Sequence, residues 1–304
     1  MPRVLVTGLG GFIGRRTVPF FRQAGYEVVG VGRRPRPDGM DAGVEWIEAD
    51  LGSYEAIRAC VARVRPSHCL HLAWDIEQGS YWRAPVNLLW VRLSLELVAA
   101  FAEAGGQRFV GAGSCAEYDW SEGCLSEDGT PRTAATPFGR CKTAVYEALM
   151  ASADTLGFSA AWARIFFVYG PGEPAARLFP SVILNLLANR PARTSSGTQR
   201  RDFMHVDDVA AALVALVDST VTGGVNIGTG EAPAVRAIVE KIGAALGRAD
   251  LLEIGALPQR AGDPPLLVAD VRRLRDEVGF RPRHTLDSGL AATIEACRGA
   301  DRRS

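Results

Sequence analysis

Several features that would point to particular classes of protein are missing from this sequence. The 304 residues include 34 basic and 34 acidic side chains, so the formal net charge is zero. A neutral chain is not expected to bind a nucleic acid or a membrane surface through long-range electrostatics. No uninterrupted apolar run approaches the roughly 20 residues that a membrane helix requires, and the first residues do not follow the pattern of a signal peptide. We therefore expect a cytoplasmic protein.

Cysteine is also sparse, and its spacing indicates neither a bridge nor a metal site. The cysteines form no CxxC pair and match no zinc-binding template. They occupy positions 60, 69, 115, 124, 141 and 297. In a chain of this length without a secretion signal, we expect reduced thiols that act mostly as small buried hydrophobic residues.

What is present is a regular alternation of strand and helix patterns along the first half of the chain. β-Branched runs predict strands at 3–7, 26–32, 44–50, 67–74, 108–114 and 159–170. Helical spacing predicts helices at 17–25, 53–64, 86–105 and 138–157. This alternation is typical of an α/β fold with a parallel sheet covered on both faces. Right-handed crossovers then require a doubly wound (Rossmann) arrangement.

A glycine-rich turn follows the first predicted strand and precedes the first helix. The stretch "VTGLGGFIG" places Gly8, Gly11 and Gly14 in a GxxGxxG pattern. These glycines would allow a tight turn, close approach of a pyrophosphate, and close contact between helix and sheet. Phe12 and Ile13 would lie at the helix start, where amide groups and the helix dipole favour an anion. The pattern predicts a dinucleotide-binding site.

The end of the second predicted strand indicates which dinucleotide is preferred. A site for NAD would place an acidic side chain there to bind the adenosine ribose. The strand instead ends in "VGVGRRPRP", with Arg33 and Arg34 in that region and no carboxylate before Asp38. Arginine pairs with a 2′-phosphate through charge-assisted hydrogen bonds, so we expect NADP(H) to be favoured over NAD(H).

The composition changes near residue 170, where a segment rich in proline and glycine begins. We expect an NADP-binding Rossmann domain at 1–168 and a smaller C-terminal α/β substrate-binding region at 169–304. The second region carries further helical stretches and one more strand pattern, "GGVNIGTG". It is expected to pack on the first domain rather than to fold independently.

At this point the sequence resembles the extended short-chain dehydrogenase/reductase family, in particular its nucleotide-sugar epimerases, dehydratases and reductases. The resemblance covers nearly the whole chain. Its markers are "TGLGGFIG", "EADL", "HLAW", "GAGSCAEY", "RIFFVYGPGE" and "RRDFMHVDDVA". The resemblance implies a nucleotide-diphosphate sugar as the partner and a homodimer formed through the helices near 84–104 and 138–156.

The resemblance also implies a catalytic set, of which one member is changed. Members of the family use a Ser or Thr hydroxyl, here Ser114, and a lysine, here Lys142. The lysine lowers the pKa of a tyrosine that transfers the hydroxyl proton of the sugar. In "TPFGRCK" that tyrosine position holds Phe138. Phenylalanine keeps the ring and lacks the titratable hydroxyl.

Four explanations for Phe138 stay open on the sequence alone. Another group could transfer the proton, with Tyr118, Glu117 and Cys115 as the nearest candidates in sequence. Ser114 could act together with an ordered water. The protein could bind its nucleotide without turning it over, as a sensor or partner protein. Finally, the chain could be an engineered Tyr-to-Phe form.

The resemblance narrows the reaction to the oxidation or reduction of a sugar carbon. Dehydratases carry an Asp-Glu pair after the catalytic hydroxyl residue, where this chain has Cys115 and Ala116, so a 4,6-dehydratase is disfavoured. The arginines after the second strand favour an NADPH-dependent 4-ketoreductase of a nucleotide-activated deoxysugar. A nucleotide-sugar 4-epimerase is the alternative, and a catalytically silent NADP-binding protein is the second alternative.

The remaining contacts that the resemblance implies divide into two sets. Residues expected to contact the cofactor, besides those already named, are Asp50, Leu51, Leu72, Ala73, Trp74, Lys142 and Ile165. Residues expected to contact the substrate, besides Ser114, are Asp75, Phe167, Arg177, Arg201 and Arg260. Two guanidinium groups facing a diphosphate would match its geometry and charge.

Overall fold

A seven-stranded parallel sheet forms the centre of the computed structural model. The structure describes residues 1–76 and 80–301, apart from the side chains of the last two. The strands are β1 Arg3–Thr7, β2 Glu27–Gly32, β3 Glu45–Glu48, β4 His68–His71, β5 Arg108–Ser114, β6 Cys124–Leu125, β7 Ser159–Ile165, β8 Phe167–Tyr169, β9 Ala192–Thr194, β10 Arg200–Arg201, β11 Phe203–His205, β12 Gly223–Ile227, β13 Leu252–Ile254 and β14 Leu266–Ala269. The α-helices are α1 Gly14–Gln23, α2 Tyr54–Val64, α3 Val86–Glu103, α4 Pro137–Leu156, α5 Leu178–Leu187, α6 Val206–Asp218, α7 Val235–Leu246 and α8 Leu286–Asp301.

The order of strands in the large sheet confirms the doubly wound α/β prediction. The order is β12-β7-β5-β4-β1-β2-β3, and every neighbouring pair is parallel. Val4 of β1 lies beside Val28 of β2 on one side and His68 of β4 on the other. The chain therefore starts in the middle of the sheet and winds outward in both directions.

Helices cover both faces of this sheet because side chains alternate along each strand. Val4 and Val6 face a core that also contains Phe21 of α1 and Val209 of α6. Leu5 faces the opposite core, which α2, α3 and α4 close with buried apolar side chains. Both cores are almost fully shielded from solvent, so the sheet is a rigid platform for the loops at its carboxyl edge.

Two elements after residue 169 return to the first sheet. Helix α6 packs on α1, and β12 pairs with β7, so that Val225 lies beside Ala163. β12 is an edge strand, and Arg273 covers part of it by donating hydrogen bonds to the carbonyl oxygens of Thr222 and Gly224. The division at 168 and 169 remains a prediction, and the Rossmann layers themselves draw on residues from both sides of it.

The last third of the chain forms a small layer beside the carboxyl edge of the sheet. Helices α5, α7 and α8 share a third core that includes Phe179, Ile183, Ile238 and Leu290. Three short strand sets accompany it, in the pairs β11-β8 and β13-β9 and the triplet β10-β14-β6. Within the described ranges, no helix has both the length and the apolar character needed to span a membrane.

One predicted strand is divided in the structure. The sequence predicts a single strand at 159–170, whereas β7 ends at Ile165 and β8 begins at Phe167 and pairs with β11. The backbone amide of Phe166 still donates to Ile227 O of β12, at 3.0 Å. The chain therefore leaves the large sheet one residue later and carries Phe167 toward the C-terminal layer.

Candidate active site

The glycine-rich turn has the tight backbone geometry that a dinucleotide site requires. Gly8 adopts a left-handed φ of +74°, and a Cβ there would lie 2.9 Å from the backbone nitrogen of Ala73. A Cβ on Gly14 would lie 2.7 Å from the Cα of Leu9, so only glycine lets α1 begin this close to β1. The cap residue Ile13 has a side chain that cannot accept a hydrogen bond. The turn therefore fits a pyrophosphate held by backbone amides at the start of α1.

The residues predicted to contact the adenosine end lie around the ends of β2 and β3. Arg33 and Arg34 are exposed directly after β2. Asp50 is exposed after β3, and its Oδ1 accepts a hydrogen bond from the Gly52 amide at 2.9 Å. Leu51 is 8% exposed and packs in the core beneath this turn. The sheet order places β2 and β3 on the same side of β1, so these residues lie on one side of the glycine-rich turn. We call the region around this turn, at the carboxyl ends of β1, β2, β4 and β5, the cleft.

The residues predicted to lie near the nicotinamide end follow β4 and β7. The amides of Leu72 and Ala73 donate to Thr7, to its carbonyl oxygen at 3.2 Å and its Oγ1 at 3.2 Å respectively. Ile165, at the end of β7, is buried in the core. Phe12 faces the loop after β8, because a Cβ on Gly172 would lie 4.0 Å from its Cδ2. These contacts bring the ends of β1, β4 and β8 together.

Lys142 is buried at the centre of this edge. Its helix begins with Thr136 as the cap, whose Oγ1 accepts from the Gly139 amide at 3.2 Å, and with Pro137 in the first turn. Nζ donates to Ala112 O at 2.8 Å and lies 3.8 Å from the ring centroid of Trp74. Burial lowers the pKa of Lys142 to about 7. A cation–π contact with Trp74 therefore supports an ammonium group that burial disfavours.

Ser114 is positioned by a buried ion pair. Its amide donates to Glu117 Oε1 at 2.8 Å, and its Oγ accepts from the Ala116 amide at 3.2 Å. Arg164 Nε of β7 donates to Glu117 Oε2 at 2.8 Å, and both side chains are fully buried. Trp162 Nε1 also donates to the same carboxylate. The turn that follows β5 is therefore fixed to β7, and Ser114 with it.

The structure buries all three candidates for replacing the missing tyrosine. The Glu117 carboxylate accepts hydrogen bonds from Arg164 and Trp162, as described, so it is engaged within the fold. Tyr118 is 1% exposed, and its hydroxyl donates to Asn226 Oδ1 at 2.7 Å. Cys115 is buried, and burial raises the pKa of its thiol to about 12. All three are close to Ser114 in sequence, which made them candidates, yet their side chains are buried inside the protein.

Phe138 lies in a dense group of rings that we call the aromatic cluster. Its centroid lies 5.0 Å from that of Tyr81, 5.7 Å from Trp82 and 6.2 Å from Trp74, each in an edge-to-face arrangement. Such arrangements are favourable for aromatic pairs. The aromatic cluster consists of Trp74, Tyr81, Trp82, Trp90, Trp120 and Phe138. At 5% exposure, Phe138 is an integral part of this packing.

Four members of this cluster have no counterpart among the predicted site residues. They are Tyr81, Trp82, Trp90 and Trp120, of which the first two lie in the loop between β4 and α3. The loop has no periodic pattern, so its aromatic residues could be assigned neither to a core nor to a site. The dense run "SYW" at 80–82 was the only signal in the sequence.

The arginines predicted to bind a diphosphate differ in their environments. Arg201 is 5% exposed, and its Nη2 donates to Asp263 Oδ1 at 2.6 Å. Its guanidinium lies 5.7 Å from the ring of Phe167. Arg260 is exposed, and the Asp263 amide donates to its carbonyl oxygen at 3.2 Å, which joins both arginines through one turn. Arg177 is half-buried immediately before α5.

Asp75, the remaining predicted substrate contact, is exposed after β4. It follows Trp74 directly, so it lies next to the aromatic cluster in sequence. Its loop continues into residues 77–79, which lie outside the described residues.

One group of side chains at the start of α6 has the spacing of metal ligands. Ligand atoms of His205, Asp207 and His284 lie within 4.8 Å of one another. Asp207 already forms an ion pair with Arg16, with Oδ1 and Nη1 3.4 Å apart. His205 Nδ1 accepts from the Asp207 amide at 3.3 Å and so caps α6. These bonds give the group a structural role at the start of α6.

The chain is similar in sequence and structure to known proteins. The profile described as the NAD dependent epimerase/dehydratase family matches residues 4–228. The chain is 29% identical to the UDP-glucose 4-epimerase of Azospirillum brasilense, with 95% of this chain and 90% of the relative aligned. It is 27% identical to dTDP-6-deoxy-L-talose 4-dehydrogenase (NAD(P)(+)) of Kitasatospora kifunensis, over 93% and 92% of the two chains. Among solved structures, it resembles MoeE5 in complex with UDP-glucuronic acid and NAD, with a TM-score of 0.84, 33% identity and coverage of 98% and 99%.

The buried ion pair yields a first prediction. Replacing Glu117 by alanine leaves Arg164 charged and unpaired in the interior, so we expect the free energy of unfolding to fall by about 3–5 kcal/mol. Chemical denaturation measures this loss. Glu122→Ala, an exposed residue in the next turn, is the control and is expected to change stability by less than about 0.5 kcal/mol. A loss below about 1 kcal/mol for Glu117→Ala would contradict the structural role.

Lys142 yields a second prediction, which concerns pH. The folded state binds the lysine proton with a pKa of about 7 and the unfolded state with the ordinary value of 10.5. Stability from this group therefore rises with pH between these values, with a slope of at most about 1.4 kcal/mol per pH unit. Lys142→Met should be more stable than the parent below pH 7, and the difference should shrink toward pH 10.

Denaturation across this pH range, with Lys241→Met as the control, measures the effect. Lys241 is the other lysine of the chain and is half-exposed beside Asp287. A variant at position 142 that is less stable than the parent at every pH would contradict the prediction.

Proposed function

The chain belongs to the NAD dependent epimerase/dehydratase family, and from this membership we propose that it inverts the configuration at C4 of a nucleotide-diphosphate sugar. One observation carries the proposal: Lys142 Nζ donates to Ala112 O, two residues before Ser114 in β5. The Lys142 ammonium group and the Ser114 hydroxyl therefore both stand near the carboxyl end of β5. Trp74 covers this lysine and follows Ala73, which abuts Gly8 of the dinucleotide turn.

The residues of the cleft fit a nicotinamide dinucleotide. Gly8, Gly11 and Gly14 would hold its pyrophosphate, and Lys142 its nicotinamide ribose. When bound, the nicotinamide accepts hydride from the sugar carbon and can return it. The chain supplies the other functions: Ser114 bonds the oxygen on that carbon, and the aromatic cluster keeps bulk water away from it. Solved relatives with NAD support this assignment.

The tail supplies the groups that would hold the diphosphate of the substrate. Arg201 and Arg260 lie on one turn with Asp263, and Arg177 precedes α5. Asp263 neutralises Arg201 in this structure, so a diphosphate would replace one anionic partner by another. The relative that carries UDP-glucuronic acid supports a nucleotide-diphosphate sugar as the ligand class.

A second candidate function is the NADPH-dependent reduction of a 4-keto-deoxysugar. It is favoured by Arg33 and Arg34, which stand exposed where a ribose 2′-phosphate would lie. The relationship to dTDP-6-deoxy-L-talose 4-dehydrogenase supports it as well. We place epimerisation first, reversing the order that the sequence suggests, because of the relationship to UDP-glucose 4-epimerases.

One experiment separates these functions. Purified protein is incubated with UDP-, dTDP- and other nucleotide hexoses and the products are resolved by chromatography, while absorbance at 340 nm follows NADPH with 4-keto-6-deoxysugars. Epimer formation without net NADPH consumption supports the first function, and stoichiometric NADPH oxidation supports the second. Binding of cofactor without turnover in either assay would overturn both and leave the silent binding protein.

The exposed arginines after β2 give a prediction about cofactor choice. Each charge-assisted hydrogen bond to a 2′-phosphate contributes about 1.5–3 kcal/mol. Arg33→Ala/Arg34→Ala should therefore raise the Kd for NADPH at least about tenfold, with little change for NADH. Fluorescence titration measures both, and Arg36→Ala serves as the control because Arg36 bonds backbone oxygens in its own turn. Equal losses for the two cofactors would contradict a preference for NADP(H).

A homodimer through α3 and α4 is part of the same proposal. The two helices pack side by side on one face of the sheet, and α3 presents Leu88 at 67% exposure and Leu89 at 38%. A charged residue there should prevent pairing of two such faces. We expect light scattering to give a dimer for the parent and a monomer for Leu88→Arg; an unchanged mass would contradict this interface.

A further inference from the structure

The structure contains a phenol beside the position where the family tyrosine is missing. We propose that Tyr81 transfers the proton of the sugar hydroxyl at C4, in place of the side chain that Phe138 lacks. The inference rests on the proposed function, since it names the proton-transfer group that either reaction at C4, epimerisation or 4-keto reduction, would require. It moves the acid–base group from the fourth residue before Lys142 to the loop between β4 and α3.

The first support is location. The Tyr81 ring meets the Phe138 ring edge to face, with centroids 5.0 Å apart and planes at 84°. Phe138 in turn lies 6.0 Å from Lys142 Nζ, measured to its ring centroid. Among the five other tyrosines, none has an aromatic contact with Phe138 in the part of the chain that the structure describes. Tyr81 is thus the tyrosine that shares the aromatic cluster with the changed position.

The second support is that the loop is fixed where Tyr81 stands. The Tyr81 carbonyl oxygen accepts from Asn87 Nδ2 at 2.7 Å, and Asn87 is buried at the start of α3. The carbonyl oxygen of the next residue, Trp82, accepts from the Phe138 amide at 3.2 Å. The Trp82 ring stacks on Tyr81 with centroids 4.7 Å apart. The phenol is therefore carried by a segment that is bonded to α3 and α4, as a preorganised acid–base group requires.

The third support is the charge environment of the phenol. Burial raises the pKa of Tyr81 to about 12, the charge of Arg177 acts in the opposite direction, and smaller influences come from Cys115, which raises the pKa, and Arg260, which lowers it. Arg177 and Arg260 are also the arginines proposed to hold the diphosphate, so the phenol lies within electrostatic reach of the groups that would bind the substrate.

In both C4 reactions, the proton moves between O4 of the sugar and the Tyr81 oxygen. In oxidation, the C4–H bond breaks with its electron pair passing to the nicotinamide, and the O4–H bond breaks with its proton passing to the Tyr81 phenolate oxygen. The electron pair left on O4 forms the C4=O bond. In reduction, C4 gains hydride and O4 takes the proton of the neutral Tyr81 phenol. Epimerisation uses both steps in turn, and 4-keto reduction uses the second.

The test compares three variants with the parent. Tyr81→Phe removes the phenol, and Phe138→Tyr restores one at the family position, alone and in combination with Tyr81→Phe. Tyr54→Phe is the matched control, because Tyr54 lies on the exposed face of α2 and bonds Arg92. Turnover of the nucleotide sugar is measured together with its Kd by calorimetry, which reports on binding without requiring the reaction.

We expect Tyr81→Phe to lower kcat by about 10²–10⁴-fold, the range typical of general acid–base catalysis, with the calorimetric Kd within threefold of the parent. The combined variant should recover most of the lost kcat, and Tyr54→Phe should match the parent.

Other results would overturn the inference in distinguishable ways. Full kcat in Tyr81→Phe, or a parallel loss of kcat and binding, would remove Tyr81 from proton transfer while leaving the proposed function intact. Turnover by Phe138→Tyr but not by the parent would do the same and would identify position 138 as a lost group. If neither protein turns over a nucleotide sugar that both bind, the proposed function fails, and the role of Tyr81 fails with it.

Discussion

The candidate site depends on one buried ion pair, between Arg164 of β7 and Glu117 in the turn after β5. Taking two charges out of water is costly, and the pair is sustained because Trp162 and the Ser114 amide also donate to the same carboxylate. Space for these large side chains comes from glycine on the neighbouring strands. A Cβ on Gly113 would collide with Trp162 and Glu117, and one on Gly224 with Arg164. Ser114 therefore owes its position to a network that spans β5, β7 and β12.

Next to this ion pair, the aromatic cluster makes the surroundings of Lys142 largely apolar. A tyrosine at position 138 would add a second phenol hydroxyl to the cluster beside that of Tyr81, whereas Phe138 packs through its ring edges and faces alone. The ammonium of Lys142 lies 3.8 Å from the ring centroid of Trp74 and 6.0 Å from that of Phe138, and the ring of Trp74 substitutes in part for hydration. The chemistry of the cleft is therefore set by rings from α3, α4 and the β4–α3 loop together.

The sequence was sufficient for the sheet and for the dinucleotide turn, because both follow from local patterns. Alternating strands and helices specify a doubly wound sheet, and the spacing of Gly8, Gly11 and Gly14 specifies the turn. The division of one predicted strand at Phe166 depends on a distant partner, β11, and so has no local signal. Tyr118 is close to Ser114 in sequence, yet its ring points toward Asn226, since direction is decided by the tertiary fold. Tyr81 was missed for the same reason, because a loop without periodicity does not reveal what its side chains contact.

The open edge of the large sheet at β12 has a consequence for how the molecule behaves at high concentration. An unpaired strand edge is a template onto which another chain can add a strand, which leads to aggregation. Arg273 occupies carbonyl oxygens beside and within β12 with its guanidinium group, and the π-helical turn at Arg273–Glu277 stands in front of them. At the other edge, β3 is only four residues long and begins and ends with glutamate. The β12 edge is thus protected from edge-to-edge pairing by the bound Arg273, and the β3 edge by its short length and its glutamates.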